Sequence, residues 1–349
     1  MSHSFSFSLH FPSKHSVPQE DKSVLAVDIR PHRVTFGKYL SGRRLKKEYE
    51  ESLSGEGRKL LEEVLGEFLS KRKNEIFHVL SIAVPGPVIH QTCETKNLPW
   101  TIDAKKLKQS TGIEKVCLLN DSEAYAYSLE DTDLNLQVLN ASQDIPSGKI
   151  SGNMAVLAPG DGLGEAGLFW DGNNLRPFAT EGGHCEFSPR TDVEVEFYHF
   201  LNKINGIVTW ENVLSKEGIY NIYRFLRDVG RHEEESWLKE KAAKEDFLEV
   251  LSEVGKSKKS RLVNLTIEFY AKFLSREANS LALKLKATGG LIITGEITEK
   301  LYGLWDKEKF YKDFIISEKM NHLLKNIPLC LLKNADQILK GAAYYGLYA

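Results

Sequence analysis

The chain has 4 cysteines in 349 residues, and Cys93, Cys117, Cys185 and Cys330 show no C-x-x-C spacing. A disulfide framework, a structural zinc site and a redox dithiol are therefore not indicated. Runs of about 20 consecutive apolar residues are absent, which excludes a membrane-spanning helix. Charge of one sign is lacking too: 46 Lys and Arg stand against 48 Asp and Glu, for a net charge of −2. That balance removes the broad positive field a nonspecific nucleic-acid binder uses. The opening MSHSFSFSLHFPSKHSVPQEDK has no basic start followed by an apolar core, so it does not read as a signal peptide. The P-loop pattern G-x-x-x-x-G-K-S/T does not occur. The expectation is a soluble cytoplasmic protein with no nucleic-acid or membrane partner.

What is present is ordinary in bulk: 42% apolar and 27% charged residues. The length suits two domains at roughly 150 residues each. VLAVDI (24–29) and RVTFGKYL (33–40) read as adjacent strands. The charged stretch 43–72 reads as a helix with Leu60, Leu61, Val64, Leu65, Phe68 and Leu69 on one apolar face. FHVLSIAVPGPV (77–88) and IEKVCLLND (113–121) read as buried strands, and SEAYAYSL (122–129) as a helix. The second half opens with strand, glycine turn and strand at GNMAVLAPGDGLGEAGLFWDG (152–172). A helix over 191–205 has capping-box spacing between Thr191 and Glu194. Residues 211–288 are mostly helical in pattern, and a charged run over 231–261 reads as a solvated face. Strands at 291–295 and 326–332 precede a small-residue helix, 334–349, whose Ala and Gly imply close packing. No sequence repeat is evident.

These elements predict an α/β protein of two domains with a cleft lined by loops at strand ends. Residues 1–22 are expected to be a flexible tail, with a strand at 4–11 left open. Residues 23–140 form the smaller α/β domain, completed by the helix at 334–349. Residues 141–333 form the larger one, with a helical insertion at 211–288.

Polar residues that end apolar strands are the candidates for chemistry. Asp28 ends one strand, and Asn120 and Asp121 end another. A fixed carboxylate there can accept a proton from a ligand hydroxyl, or Asp121 can simply cap the next helix. The turn Gly160-Asp161-Gly162-Leu163-Gly164 can present backbone N–H groups to a phosphate or serve as a plain hairpin turn. Glu181, His184 and nearby Glu186 gather around Gly182-Gly183. No third metal ligand accompanies them, so a hydrogen-bonding network for hydroxyls fits better. Glu211 either joins that network or is a favourable acid in a helix's first turn.

Several ordered segments resemble the bacterial-type glucokinase family, within the actin-like, hexokinase-like ATPase superfold (ribonuclease H-like domains). They are IAVPGPV, KNLPWTID, LLNDSEAYAYSL, PGDGLGEAGLFWDG, TEGGHCEFSPRTDVEVEFYHFL, VTWENVLSKEGIYNIYRFL, GGLIITGEI and LKGAAYYG. The resemblance implies that Asp121 is the general base toward the 6-hydroxyl of glucose or a related hexose. It assigns Asn97, Asn120, Glu181, His184 and Glu211 to the remaining hydroxyls. A homodimer is the implied assembly, with ATP and Mg²⁺ as the implied cofactors.

The nucleotide side departs from the family. Its D-x-G-G-T-N loop is matched here by Asp28-Ile29-Arg30-Pro31-His32-Arg33. Asp28, the implied magnesium residue, is kept, but both glycines are gone and Pro31 deletes an N–H donor. Arg30 and Arg33 offer side-chain charge to the phosphates in exchange. In the second turn, Gly160, Gly162 and Gly164 remain while Asp161 stands in place of Thr, where it is expected to repel a triphosphate. At the adenosine landmark Gly295 remains and Glu296 replaces glycine. Two readings follow. One is an active glucokinase; the other is a sugar-binding pseudokinase or sensor with weak or no ATP use.

Overall fold

Every residue from Ser23 to Ile29 is buried, as expected of a strand covered on both faces. A computed structural model describes residues 7–11, 22–42, 44–94, 98, 100–131, 134–139, 151–230, 232–333 and 337–348. The buried segment is β1 (Ser23–Arg30), at the centre of a five-stranded sheet. β2 (Arg33–Leu40) pairs antiparallel with it, and β3 (Lys46–Ser54) pairs antiparallel with β2. On the other side β4 (Val79–Val84) and β8 (Lys115–Asn120) continue in parallel. Between these two lie the short strands β5 (Val88–Ile89), β6 (Thr92–Cys93) and β7 (Ile102–Asp103), then α2 (Ala104–Thr111). Helix α1 (Leu61–Ser70) buries Leu61, Val64, Leu65 and Phe68, and Phe68 stacks on Phe36 at 4.1 Å.

The helix expected over 43–72 is only half right. Its first part is β3, where Tyr49, Glu51 and Leu53 alternate half-buried with exposed charge. Lys and Glu on an edge strand discourage pairing with other chains, so charge there was an edge signal, not a helical one. Leu60 precedes the helix and is 53% exposed.

The second sheet repeats the strand order. β10 (Met154–Pro159) and β11 (Leu163–Trp170) form a hairpin, and β12 (Leu175–Thr180) pairs with β11. β13 (Gly290–Ile293) and β14 (Leu329–Leu332) run parallel to β10. β9 (Leu136–Val138) adds an antiparallel edge beside β14. It belongs to this sheet although it precedes residue 140, the boundary expected from sequence. What the halves share is topology, which leaves no visible repeat in residue identity.

Helices α4 (Asp192–Asn205), α5 (Glu211–Leu214), α6 (Lys216–Asp228), α7 (Ser236–Ala242) and α8 (Phe247–Ser257) lead into the long α9 (Arg261–Leu285). α10 (Glu296–Leu301), α11 (Lys307–Phe314) and α12 (Asn321–Leu324) follow β13. None of the described helices is long and apolar enough to cross a membrane. The capping box expected at α4 does not form. Thr191 makes no side-chain cap, and Glu194 turns inward to Arg276, Lys272 and the Arg190 N–H.

Between the sheets lie α3 (Asp121–Tyr127) and the terminal α13 (Gln337–Tyr348), inside one apolar cluster. α13 packs on β1 and β4, while α3 packs on β10, β11 and β12. Gly341 lets the helices touch, because a Cβ there would overlap the Ala124 carbonyl oxygen.

The flexible tail expected over 1–22 is corrected for residues 7–11. Leu9 bridges in parallel to Leu175, and Leu175 N–H donates to Ser8 O at 2.7 Å. Phe7, Leu9 and Phe11 are buried in the cluster between the sheets, Phe11 against Tyr127 and Tyr348. Alternating apolar residues gain an apolar seat there. Deleting residues 1–11 is expected to cost about 2–4 kcal/mol, burial less the entropy of ordering the segment. Thermal unfolding checks it, and an unchanged Tm would show that the segment adds nothing.

Candidate functional site

β8 delivers Asn120 and Asp121 to the end of the first sheet, where the backbone turns into α3. Asn120, 5% exposed, is the cap. Its Oδ1 accepts the Ser122 N–H at 2.9 Å and the Ser122 hydroxyl, and its Nδ2 donates to Gly86 O at 3.0 Å. Glu123 stands three residues on, at the position of a capping-box acid, and the Asn120 backbone acts on its carboxyl. Burial pushes the Glu123 carboxyl up to about 7. The capping role weighed for Asp121 therefore belongs to Asn120, whose amide is largely committed to the fold.

Asp121 is the first residue of α3, and its carboxylate accepts from Arg30 Nη1 at 3.1 Å. Burial pushes that carboxyl above its ordinary value; Arg30 offsets part of the shift and Asp28 adds to it.

The Glu181–His184 turn follows β12. His184 Nε2 lies 3.8 Å from Glu181, and its Nδ1 lies 4.0 Å from Glu211. Glu211, the first residue of α5, accepts the Leu163 N–H at 3.0 Å and so ties α5 to the start of β11. Burial raises the Glu181 carboxyl; His184 opposes this, while Asp121 and Glu211 reinforce it. Asp121, Glu181, His184 and Glu211, drawn from both halves of the chain, thus act on one another. Asn97 lies outside the described residues. No group of three or more His, Cys, Asp or Glu side chains among the described residues is placed to hold a metal ion.

Beneath the turn sit Glu165 on β11 and Glu277 on α9, both buried. Burial pushes both carboxyls up, and Lys284, 3.4 Å from Glu277, offsets part of the rise. The Glu165 carboxylate occupies the space a Cβ on Gly182 would need, so the turn rests on this pair. Sequence reading missed it; the available signal was a Glu inside the apolar strand LGEAGLF.

The nucleotide side is built differently from expectation. β1 and β2 stay paired to Arg30 and Arg33, so Pro31-His32 make a tight turn. Arg30 does not stand open toward a phosphate. Its Nε lies 3.1 Å from Asp28 and its Nη1 3.1 Å from Asp121, with the Arg30 and Asp121 side chains each 19% exposed. Arg33 is exposed at the far side of the turn.

Asp161, expected to repel a triphosphate, has a counter-ion. Lys216 Nζ lies 2.8 Å from Asp161 and 2.7 Å from Glu296, whose carboxylate also meets Lys300 at 3.2 Å. Burial would raise Asp161, but Lys216, with Arg30 and Arg33, outweighs it and holds the carboxyl low. Glu296 is held low in the same way, by Lys216 and Lys300 against burial. The repulsion is thus largely compensated. Gly295 (φ +90°) keeps a role only glycine fills easily, since a Cβ there would meet Pro159 O. Gly160, Gly162 and Gly164 lie in and beside the β10–β11 turn, which the Gly160 N–H closes on Gly162 O at 2.8 Å. Lys216 was missed from sequence, although a cation at the first position of a helix runs against the helix dipole and was a readable signal.

The Glucokinase family model matches residues 25–348. A glucokinase of Nostoc punctiforme is 32% identical over 297 residues, spanning 80% of this chain and 85% of its own length. The crystal structure of glucokinase from Balamuthia mandrillaris in complex with glucose superposes with a TM-score of 0.77 at 17% identity, covering 94% of each chain. A ROK family glucokinase from Streptomyces griseus in complex with glucose and AMPPNP gives a TM-score of 0.62 at 16% identity, over 92% of this chain and 98% of its own. The fold is the two-domain actin-like, hexokinase-like ATPase fold, and the chain belongs to the glucokinase family of sugar-phosphorylating enzymes.

Proposed function

We propose that the chain transfers the γ-phosphoryl group of ATP to the 6-hydroxyl of glucose, giving glucose 6-phosphate and ADP in the cytoplasm. The observation that carries this is Asp121. Its carboxylate heads α3 one residue past the Asn120 cap, and burial raises its proton affinity toward that of a working base. Asp121 takes the 6-hydroxyl proton as the new P–O bond forms. Glu181, His184 and Glu211 supply the acceptors and donor that orient the other hydroxyls.

Magnesium sites in kinases usually use one or two carboxylates with nucleotide phosphates and water. Asp28 fits that demand as a mostly buried carboxylate whose Oδ1 makes no hydrogen bond, although Arg30 Nε stands 3.1 Å from it as an ion-pair partner. Bound there, magnesium offsets charge on the transferred phosphoryl group. Lys216 holds Asp161 and Glu296 in a neutralised state beside the donor. Lys216→Ala leaves both carboxylates uncompensated and is expected to raise the KM for ATP about tenfold or more, with glucose affinity unchanged. Steady-state kinetics with calorimetry check this, and an unaltered KM for ATP removes Lys216 from the donor site.

A second reading, a sugar sensor with weak or no ATP use, is favoured by one observation, the Arg30 bridge across Asp28 and Asp121. Titration with glucose alone, followed by Mg·ATP with ADP release coupled to detection, separates the two. Glucose binding with ADP release supports the kinase, and glucose binding without it supports the sensor.

A further inference from the structure

Arg30 is the last residue of β1, and its backbone is fixed by pairing with Arg33 across the tight Pro31-His32 turn. Only the side chain is free to change place. It spans the two carboxylates on which the proposed reaction depends, Nε to Asp28 and Nη1 to Asp121, each at 3.1 Å. Its Nη2 has no protein partner among the described residues, so part of the guanidinium fork remains open to a ligand.

We propose that Arg30 is a positioning residue that holds Asp121 until the phosphoryl donor binds, then turns to the donor's phosphates and releases the base. The inference rests on the reading of Asp121 as general base. Its physical basis is competition for one fork of donors. A guanidinium binds phosphate oxygens bidentately, and a polyphosphate carries more charge than one carboxylate.

The surroundings favour such a transfer. Asp28 on β1, Asp121 and Tyr125 on α3, and Asp161 in the β10–β11 turn all act on the guanidinium. Asp121 is faced in turn by Arg30 and Asp28, with Glu181 beyond β12 and the buried Cys93 thiol on β6 within range of its charge. Asp161 has Lys216 as its own partner, so among the described residues Arg30 is the one cation shared by Asp28 and Asp121. Lys216 cannot stand in for it without leaving Asp161 and Glu296. Arg30 can move to an incoming anion while Asp28 keeps its buried place. The sugar, being neutral, has no comparable pull on the guanidinium.

The test compares wild type with Arg30→Gly and Arg30→Gln at saturating glucose, varying Mg·ATP across pH. In that state kcat/KM for ATP reports Asp121 while Arg30 still holds it. Removing a cation in hydrogen-bond range raises a carboxyl by about 1–3 pH units. The acid limb is therefore expected to move to higher pH by that amount in both variants. AMPPNP affinity, measured by calorimetry, is expected to fall about tenfold in both, while glucose affinity stays within a few-fold. Two variants guard against one that fails to fold. An acid limb that coincides with wild type, or AMPPNP binding at wild-type strength, overturns the proposal. Asp121→Asn separates that result from failure of the underlying reading. If it retains turnover, the base assignment falls; if it loses turnover while the Arg30 variants behave as wild type, only the role of Arg30 falls.

Discussion

Asp121→Asn is expected to cut turnover by about 10²–10⁴-fold, the usual contribution of a positioned general base, with glucose affinity within a few-fold of wild type. The amide keeps the volume and hydrogen bonds to the sugar but cannot take the proton. The fold should survive, because the side chain that caps α3 is Asn120. Loss of the carboxylate also leaves Arg30 with Asp28 alone, which removes repulsion between two acids and offsets the lost ion pair. The pH profile carries the sign. Burial raises the Asp121 carboxyl, so wild-type turnover should climb as pH rises through a point above the ordinary aspartate range and then level off. Steady-state kinetics with calorimetric glucose binding check both parts. Turnover near wild type in the variant would remove Asp121 as the base.

Arg276→Ala is expected to produce the largest loss of stability, about 3–5 kcal/mol, because it strips a buried carboxylate of its main partner. For a domain of this size that is a fall in Tm of roughly 10 °C. Glu194 is fully buried; Arg276 pairs with it, and Lys272 approaches from the exposed side at 2.7 Å. Arg276 Nη2 also donates to Ser188 O at 2.6 Å, and Glu194 accepts the Arg190 N–H at 2.6 Å. These bonds anchor the segment just after the Glu181–His184 turn. The variant should therefore raise the KM for glucose as well as lower Tm. A Glu194→Leu, Arg276→Met double variant should recover part of the stability, since the cost lies in the unpaired charge. A single variant with wild-type Tm would contradict the network.

The features that could be read from sequence are those set by local pattern. Asp121, the glycine turn at 160–164 and the Glu181–His184 turn sit where strands stop, whereas Asp28, expected to end its strand, lies inside β1 two residues short of its end. Ala and Gly in the terminal helix announced its close packing, and Gly341 against Ala124 is that contact. The features that could not be read depend on neighbours distant in sequence. β3 has a charged composition that suits a helix until its partner β2 is known. β9 is three residues long, and only the edge of β14 makes it a strand. Glu194 has perfect spacing for a cap, yet Arg276, 82 residues away, draws it inward.

The nucleotide side shows the same limit more sharply. Read one at a time, Arg30, Asp161 and Glu296 are departures that each oppose a triphosphate or crowd it. In space they are paired: Lys216 answers both Asp161 and Glu296, and Arg30 answers Asp28 and Asp121. Compensation of this kind involves residues from five separate segments, and no spacing rule connects them. The charges that depart from the family pattern are therefore mutually compensated, and donor binding is expected.

Incubating the wild-type chain with Mg·ATP and glucose, and following phosphorus by ³¹P NMR, tests that expectation most directly. ADP and glucose 6-phosphate are expected in equal amounts, with ATP stable when glucose is omitted. ATP that persists alongside glucose, in a protein that still binds glucose by calorimetry, would contradict it.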